Sequence, residues 1–202
     1  MNASDSETEQ RILDAAHAVF LRRGSSGARM QEIADEAGVN KALLHYYFRS
    51  KEGLSVAVFH RAAASLFPRI VGILGSELDV EDKVRELVQG YTEFLAGHPY
   101  LPGFVISELH YHPERIRQVL APMGGAPLSQ LGAQLETLAR AGKLRPIRPE
   151  EFMVNLVSLI LFPFAARPMI EAVLGLEGER FDAFLEERRR TVADFFLNAL
   201  RP

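Results

Sequence analysis

From Ile12 to Leu200 the apolar residues recur at steps of three and four, and no run of alternating β-branched residues reaches the length of a strand. That spacing gathers apolar side chains on one stripe of a helix and leaves the opposite face polar. The chain is therefore expected to be all-α, with about nine helices. At 202 residues, 48% of them hydrophobic and 24% charged, it is long enough to bury a sizeable core.

Local punctuation divides the helices. Ser6 followed by Glu9 has the form of a capping box, and the stripe Ile12, Leu13, Ala16, Val19, Phe20 predicts a first helix that stops at Gly24. A second helix is expected from about Met30 to Ala37, where Gly38 supplies a left-handed cap at low cost. Asn40 is placed to cap a third, ending near Phe48, because its side chain accepts a bond from an otherwise unpaired N–H. Ser50 repeats the device for a fourth helix from Lys51 toward Leu74, with Pro68 expected to kink it or split off its end. Two short helices joined by a glycine turn and followed by a long one make the helix-turn-helix pattern. A fifth helix is predicted over about 80–96, two short ones in the proline-broken stretch 98–127, and another over 128–141, ended by Gly142. Two long ones follow, over about 150–174 and 180–200. The first of these is apolar nearly all round and needs neighbours on every side, which a second copy of the chain would supply. The domain division is read as 1–50 for the helix-turn-helix and 51–202 for the rest, with the fourth helix connecting them.

The absence of cysteine excludes disulfides, thiolate metal sites and cysteine nucleophiles. The N-terminal MNASDSETEQ lacks the basic-then-apolar order of a signal peptide, and Phe152–Ala166 is too short for a bilayer span, so a cytoplasmic protein with no membrane partner is expected. A net charge of −3 gives no overall pull toward nucleic acid. Between Gly38 and Arg61, however, Lys41, Arg49, Lys51 and Arg61 face one acid, Glu52. On a helical wheel Leu44 and Phe48 point inward with Ile33 and Val39, which leaves Lys41, Ala42, Leu43, His45, Tyr46 and Tyr47 for the outside. A helix presented in this way enters the major groove with its N-terminal residues at base edges. Lys51, at the start of the next helix, suits a phosphate.

Two segments, ILDAAHAVFLRRG and MQEIADEAGVNKALLHYYFRSKEGL, have the order and spacing of one known DNA-binding domain. Over about residues 8–60 the sequence resembles the tetracycline-repressor (TetR) family of bacterial transcription regulators. The resemblance implies a DNA-contact set of Arg29, Gln31, Asn40, Lys41, Ala42, Leu43, His45, Tyr46, Tyr47 and Lys51. In it, Lys41, Ala42, Leu43 and His45 meet bases or adjacent backbone, and Tyr46, Tyr47 and Lys51 meet phosphates. Arg29 stands where the family usually has threonine, and Leu43 and His45 also depart from its common residues, so the operator is this chain's own.

Beyond residue 75 the resemblance is one of general layout: a helical ligand-binding and dimerisation domain. It implies a homodimer through the last two helices, about 150–174 and 180–200, a double-stranded palindromic operator, and an unidentified small-molecule effector. Tyr91, Phe94, His98, Phe104, His110, Tyr111 and Phe162 supply an apolar pocket with a few polar fixtures, or plain core packing. Glu108, His110, His112 and Glu114 alternate, a spacing that a helix scatters by about 200° per step, so no metal and no cofactor are expected. No nucleophile elbow, phosphate loop or His pair at helical spacing occurs, and the chain is not read as an enzyme. Two other classes compete with a ligand-responsive repressor: a helical effector-binding protein that has lost DNA binding, and an enzyme housed in the C-terminal domain.

Overall fold

A computed structural model describes residues 3–111, 113–114 and 126–202. Among the described residues there are ten helices and no strand: α1 Ala3–Gly27, α2 Met30–Glu36, α3 Lys41–Phe48, α4 Lys51–Leu74, α5 Val80–Gly97, α6 Leu101–Tyr111, α7 Ala126–Arg140, α8 Pro149–Ala165, α9 Arg167–Leu174 and α10 Glu179–Ala199. The all-α expectation holds.

Compactness divides the chain into two units. One comprises the described residues up to Ser65 with those of 98–119; the other comprises 66–97 with those of 120–202. The division falls inside α4, beyond the 50/51 boundary expected from the helix-turn-helix alone.

The first unit is built on Ile12, Ala16, Val19 and Phe20 of α1, Ile33 and Ala34 of α2, Leu44 and Phe48 of α3, and Leu54 and Val58 of α4. Helix α1 begins at Ala3, so Ser6 and Glu9 lie inside it and do not form the expected capping box. Its regular part ends where predicted: Gly24 has φ +68° and ψ 164°, and one further turn carries the chain to Gly27.

The second unit takes its core from Leu66, Ile70 and Leu74 of α4, Val84, Leu87 and Val88 of α5, Leu131 and Leu135 of α7, Phe152 and Leu156 of α8, and Val192 and Phe196 of α10. The Phe152 and Phe196 rings meet edge to face at 4.9 Å. Lys83 is wholly buried there. Its ammonium donates to the carbonyl oxygen of Leu74 at 2.9 Å and to Gln134 Oε1 at 2.7 Å, closing the C-terminal end of α4. Burial lowers its proton affinity, with Glu77 acting in the opposite sense.

Of the two outcomes expected at Pro68, a split does not occur, and the proline stands inside α4. One expectation about a long helix needs correction. The helix expected over 150–174 is two helices, α8 and α9, which meet at Ala166 and bend by 73°. Pro168, at the start of α9, lacks the N–H that would have continued the α8 ladder and fits a first turn, where that donor is unpaired in any case. By length and composition α4 is apolar enough to cross a bilayer, as are α8 and α9 together. In this fold Leu54, Val58, Leu66, Ile70 and Leu74 of α4 are core residues.

Candidate nucleic-acid interface

The turn between α2 and α3 follows its sequence signals closely. Ala37 caps α2, Gly38 takes φ +63°, and Val39 donates its N–H back to the carbonyl of Ala34 at 3.0 Å. Asn40 then adopts extended backbone (φ −76°, ψ 157°) and its Oδ1 accepts from the Leu43 N–H at 2.8 Å. This is the side-chain cap read from the sequence. Leu44 is 0% exposed, and it buries α3 against Ile33 with Phe48 at its side. Lys41, Ala42, His45 and Tyr46 are exposed, while Leu43 and Tyr47 are half-buried. Tyr46 is the most open, at 77%.

Four of the candidates are held in place by neighbours. The Tyr46 ring stands edge-on to Tyr47, with centroids 5.4 Å apart. Tyr47 Oη donates to Asp5 Oδ1 at 3.3 Å, and desolvation followed by the Asp5 charge keeps the phenol protonated. His45 Nδ1 lies 2.9 Å from the carbonyl oxygen of Arg49. A carbonyl only accepts, so Nδ1 carries the hydrogen, and in the tautomer that this bond selects Nε2 is the acceptor. Lys51 Nζ donates to the carbonyls of Ser26 at 2.9 Å and Ala28 at 3.3 Å, tying α4 to the end of α1. An ammonium has three N–H groups, and two are engaged there.

Arg29 and Gln31 are exposed at the start of α2. Arg29 is the N-cap residue (φ −113°, ψ 141°) and makes no side-chain cap bond, as expected where an arginine replaces a hydroxyl residue. Gln31 Nε2 donates to Asp35 Oδ1 at 2.8 Å.

Two residues that shape this surface were not among the candidates. Arg49 adopts φ +54° and ψ −45°, the one positive φ outside glycine among the described residues, and the Ser50 N–H donates to the Phe48 carbonyl at 2.5 Å. This is a γ-turn, a strained conformation for a residue with a side chain. It ends α3 and starts α4 within two residues. Gly53 is the second: a Cβ placed on it would lie 2.7 Å from the Phe48 carbonyl oxygen, so only glycine permits α4 to begin this close to the end of α3. Its signal in the sequence was the glycine in SKEG, three residues after the Ser50 cap, whose Oγ accepts from the Gly53 N–H at 3.1 Å.

The predicted pocket residues do not form one group. Tyr91 and Phe94 are half-buried against the core of the second unit, and burial raises the Tyr91 proton affinity. Phe162, 54% exposed, lines an open apolar groove on α8 and α10 with Leu159, Arg188 and Phe195. Arg188 spends its charge within the chain: Nη2 donates to the Leu159 carbonyl at 2.8 Å and the guanidinium lies 5.6 Å from the Phe184 ring centroid. His98 belongs to the first unit, beside His17. His110 is exposed near the end of α6. The side chains of Phe104 and Tyr111, and His112 of the alternating histidine segment, lie outside the described residues. Among the described residues no group of three or more His, Cys, Asp or Glu side chains is arranged to hold a metal ion.

Comparison with known proteins agrees with this geometry. Residues 12–58 match the family described as bacterial regulatory proteins, tetR family. The HTH-type transcriptional activator FasR of Mycolicibacterium smegmatis is 31% identical over 153 residues, covering 76% of this chain and 68% of that protein. The HTH-type transcriptional regulator RutR of Escherichia coli is 27% identical over 199 residues, covering 98% and 92%. Among solved structures, the transcriptional regulator FadR from Bacillus subtilis in complex with stearoyl-CoA shares the fold, with a TM-score of 0.64 at 16% identity over 95% of this chain and 99% of that one. With helix α3 capped, anchored and presented as such a reading head requires, the chain belongs to the TetR family and is a DNA-binding transcription regulator.

Proposed function

We propose that the chain is a cytoplasmic, ligand-responsive repressor that binds a palindromic operator as a homodimer. Residues 1–50 read the DNA; residues 51–202 dimerise and take the effector. The observation that carries this reading is the outward face of α3, where Lys41, Ala42, His45 and Tyr46 are exposed over a buried Leu44 and a bonded Asn40 cap. Lys41, Ala42, Leu43 and His45 address base edges. Arg29, Gln31, Tyr46, Tyr47 and Lys51 address the phosphates on either side. Two copies of α3 would occupy half-sites about 34–36 Å apart, one turn of DNA.

The dimer forms through α8 and α10, whose groove exposes Phe162, Leu159 and Phe195. An exposed ring such as Phe195, at 64%, beside other apolar groups is the usual mark of a surface that meets a partner. The effector occupies the second unit near Tyr91 and Phe94; the stearoyl-CoA complex of the Bacillus subtilis structure supports the capacity of this fold for a ligand. Helix α4 supplies residues to both cores and is the natural route of coupling. A coupling of about 1–3 kcal/mol would change operator affinity roughly 5- to 150-fold. The reading makes the protein a regulator and not an enzyme.

Selection of bound fragments from a random DNA pool by the purified chain tests it. A two-fold symmetric consensus with half-sites one turn apart is expected, and transcription from a reporter carrying that consensus should fall when the protein is supplied. A pool that returns no consensus would reject the reading in favour of an effector-binding protein without DNA.

A further inference from the structure

The first unit contains a cavity of about 230 Å³ lined by His17 of α1, Val58, Arg61, Ala62 and Ser65 of α4, and His98 and Tyr100 just before α6. We propose that it binds a small organic carboxylate, whose charged end meets Arg61, His17 and His98 and whose hydrocarbon end rests on Val58 and Ala62. None of these residues belongs to the DNA-contact set, and the inference stands whether or not the operator reading does.

The lining is one-sided in charge. It holds one guanidinium and two imidazoles, and no carboxylate. The two histidine rings lie with centroids 4.8 Å apart. His17 Nδ1 is 2.6 Å from Tyr100 Oη, and the Tyr100 ring is braced edge-on by Phe20 at 5.6 Å, which fixes the imidazole against the cavity wall. Arg61 Nη1 reaches Asp14 Oδ1 at 2.7 Å and Gln10 Oε1 at 3.4 Å. The Asp14 side chain is 72% exposed and is not part of the lining. A solvated pair of that kind is weak, and a guanidinium has five N–H groups, so Arg61 retains the means to engage a second carboxylate.

The groups facing His17 are His98 and Tyr100 from the α5–α6 connection, Arg61 from α4 and Asp14 from its own helix. Burial, His98 and Arg61 all oppose its protonation, and Asp14 alone favours it. An anion in the cavity reverses that balance. The same lining selects among anions. The Ser65 hydroxyl already donates to the Ala62 carbonyl at 2.8 Å, so donors are few for a phosphate, whereas the apolar strip of Val58 and Ala62 on α4 suits a short alkyl chain. The volume lies below the roughly 300–1,000 Å³ of pockets for drug-sized ligands, which limits the acid to a few carbons.

The test uses butyrate, with butyramide as its uncharged counterpart, followed by calorimetry and by the NMR signal of the His17 ring in the full chain. Butyrate should bind, more tightly at about pH 6 than at about pH 8, and raise the His17 titration midpoint; butyramide should do neither. Arg61→Gln should weaken butyrate roughly ten-fold or more, and His17→Gln should reduce the pH dependence while leaving residual affinity. If Arg61→Gln does not fold, Arg61→Lys keeps the charge, loses the planar fork and should weaken butyrate measurably. Equal binding of butyramide, a His17 signal unmoved by saturating butyrate, or inorganic phosphate binding where butyrate does not would each overturn the assignment.

Discussion

Lys51 Nζ donates to the Ser26 carbonyl oxygen at 2.9 Å, so the same ammonium that suits a DNA phosphate also fastens α4 to the end of α1. Lys51→Ala should therefore have two effects. Binding to every DNA sequence should weaken alike, with the salt slope of log K reduced by about one unit. Stability should fall by about 1 kcal/mol as the Ser26 and Ala28 carbonyls lose their donor. Binding measured across a salt series, with urea unfolding alongside, checks both; an unchanged salt slope would leave Lys51 a purely structural residue.

His45 is expected to discriminate bases through Nε2, because the Arg49 carbonyl commits Nδ1 as the donor. An acceptor in the major groove favours the amino groups of adenine or cytosine. His45→Arg should shift the selected operator toward guanine at one position, at a cost of about 1–3 kcal/mol on the original site, and Leu43→Thr should change preference at a neighbouring position. Consensus sequences selected by each variant would show it. Identical consensus sequences for all three proteins would exclude these residues from base reading.

Gly53→Ala introduces a methyl 2.7 Å from a backbone oxygen, which cannot turn aside as a side-chain tip can. A loss of about 1–3 kcal/mol in unfolding free energy is expected, with weaker operator binding as α3 is displaced. Arg49→Gly should act in the opposite sense on stability: relief of a strain of about 1–3 kcal/mol exceeds the roughly 0.5–1 kcal/mol entropic cost of glycine. Thermal melts of the pair should move in opposite directions.

Phe195→Asp together with Leu159→Asp places two charges in the apolar groove between α8 and α10. The double variant is expected to be a folded monomer by light scattering and circular dichroism. A folded dimer would show that the subunits meet elsewhere.

His17 carries a pH dependence of known sign. Its folded-state proton affinity lies below the ordinary value of 6.5, chiefly through burial, so the unfolded chain binds the proton more readily. Stability should be fully present above about pH 6.5 and decline as pH falls from there through the lower folded-state value. His17→Gln should flatten that part of the stability profile, as followed by urea midpoints across the range.

What was legible in the sequence was what is encoded locally. Gly38 and Asn40 each act within three residues of themselves, and both do what their chemistry predicts. Burial of Leu44 and Phe48 and exposure of Lys41, Ala42, His45 and Tyr46 followed from a helical wheel, whereas Leu43 and Tyr47, expected outside, are half-buried. Local rules failed where another part of the chain decides. Ser6 and Glu9 look like a cap, yet α1 starts three residues before Ser6. Pro163 sits inside α8 while the break comes at Ala166, because apolar periodicity continued through both and concealed the bend. His17 and Tyr100 are 83 residues apart, and no spacing rule joins them. Lys83 reads as a polar surface position of α5 until the Leu74 carbonyl and Gln134 are seen around it.

The γ-turn at Arg49 has a mechanical consequence. With only Arg49 and Ser50 between α3 and α4, and the Gly53 backbone seated against the Phe48 oxygen, the junction has no slack: any swivel of the first turn of α4 is delivered to the reading helix undamped. One residue inserted there would act as a loose gear, sparing both helices while uncoupling the motion of one from the other.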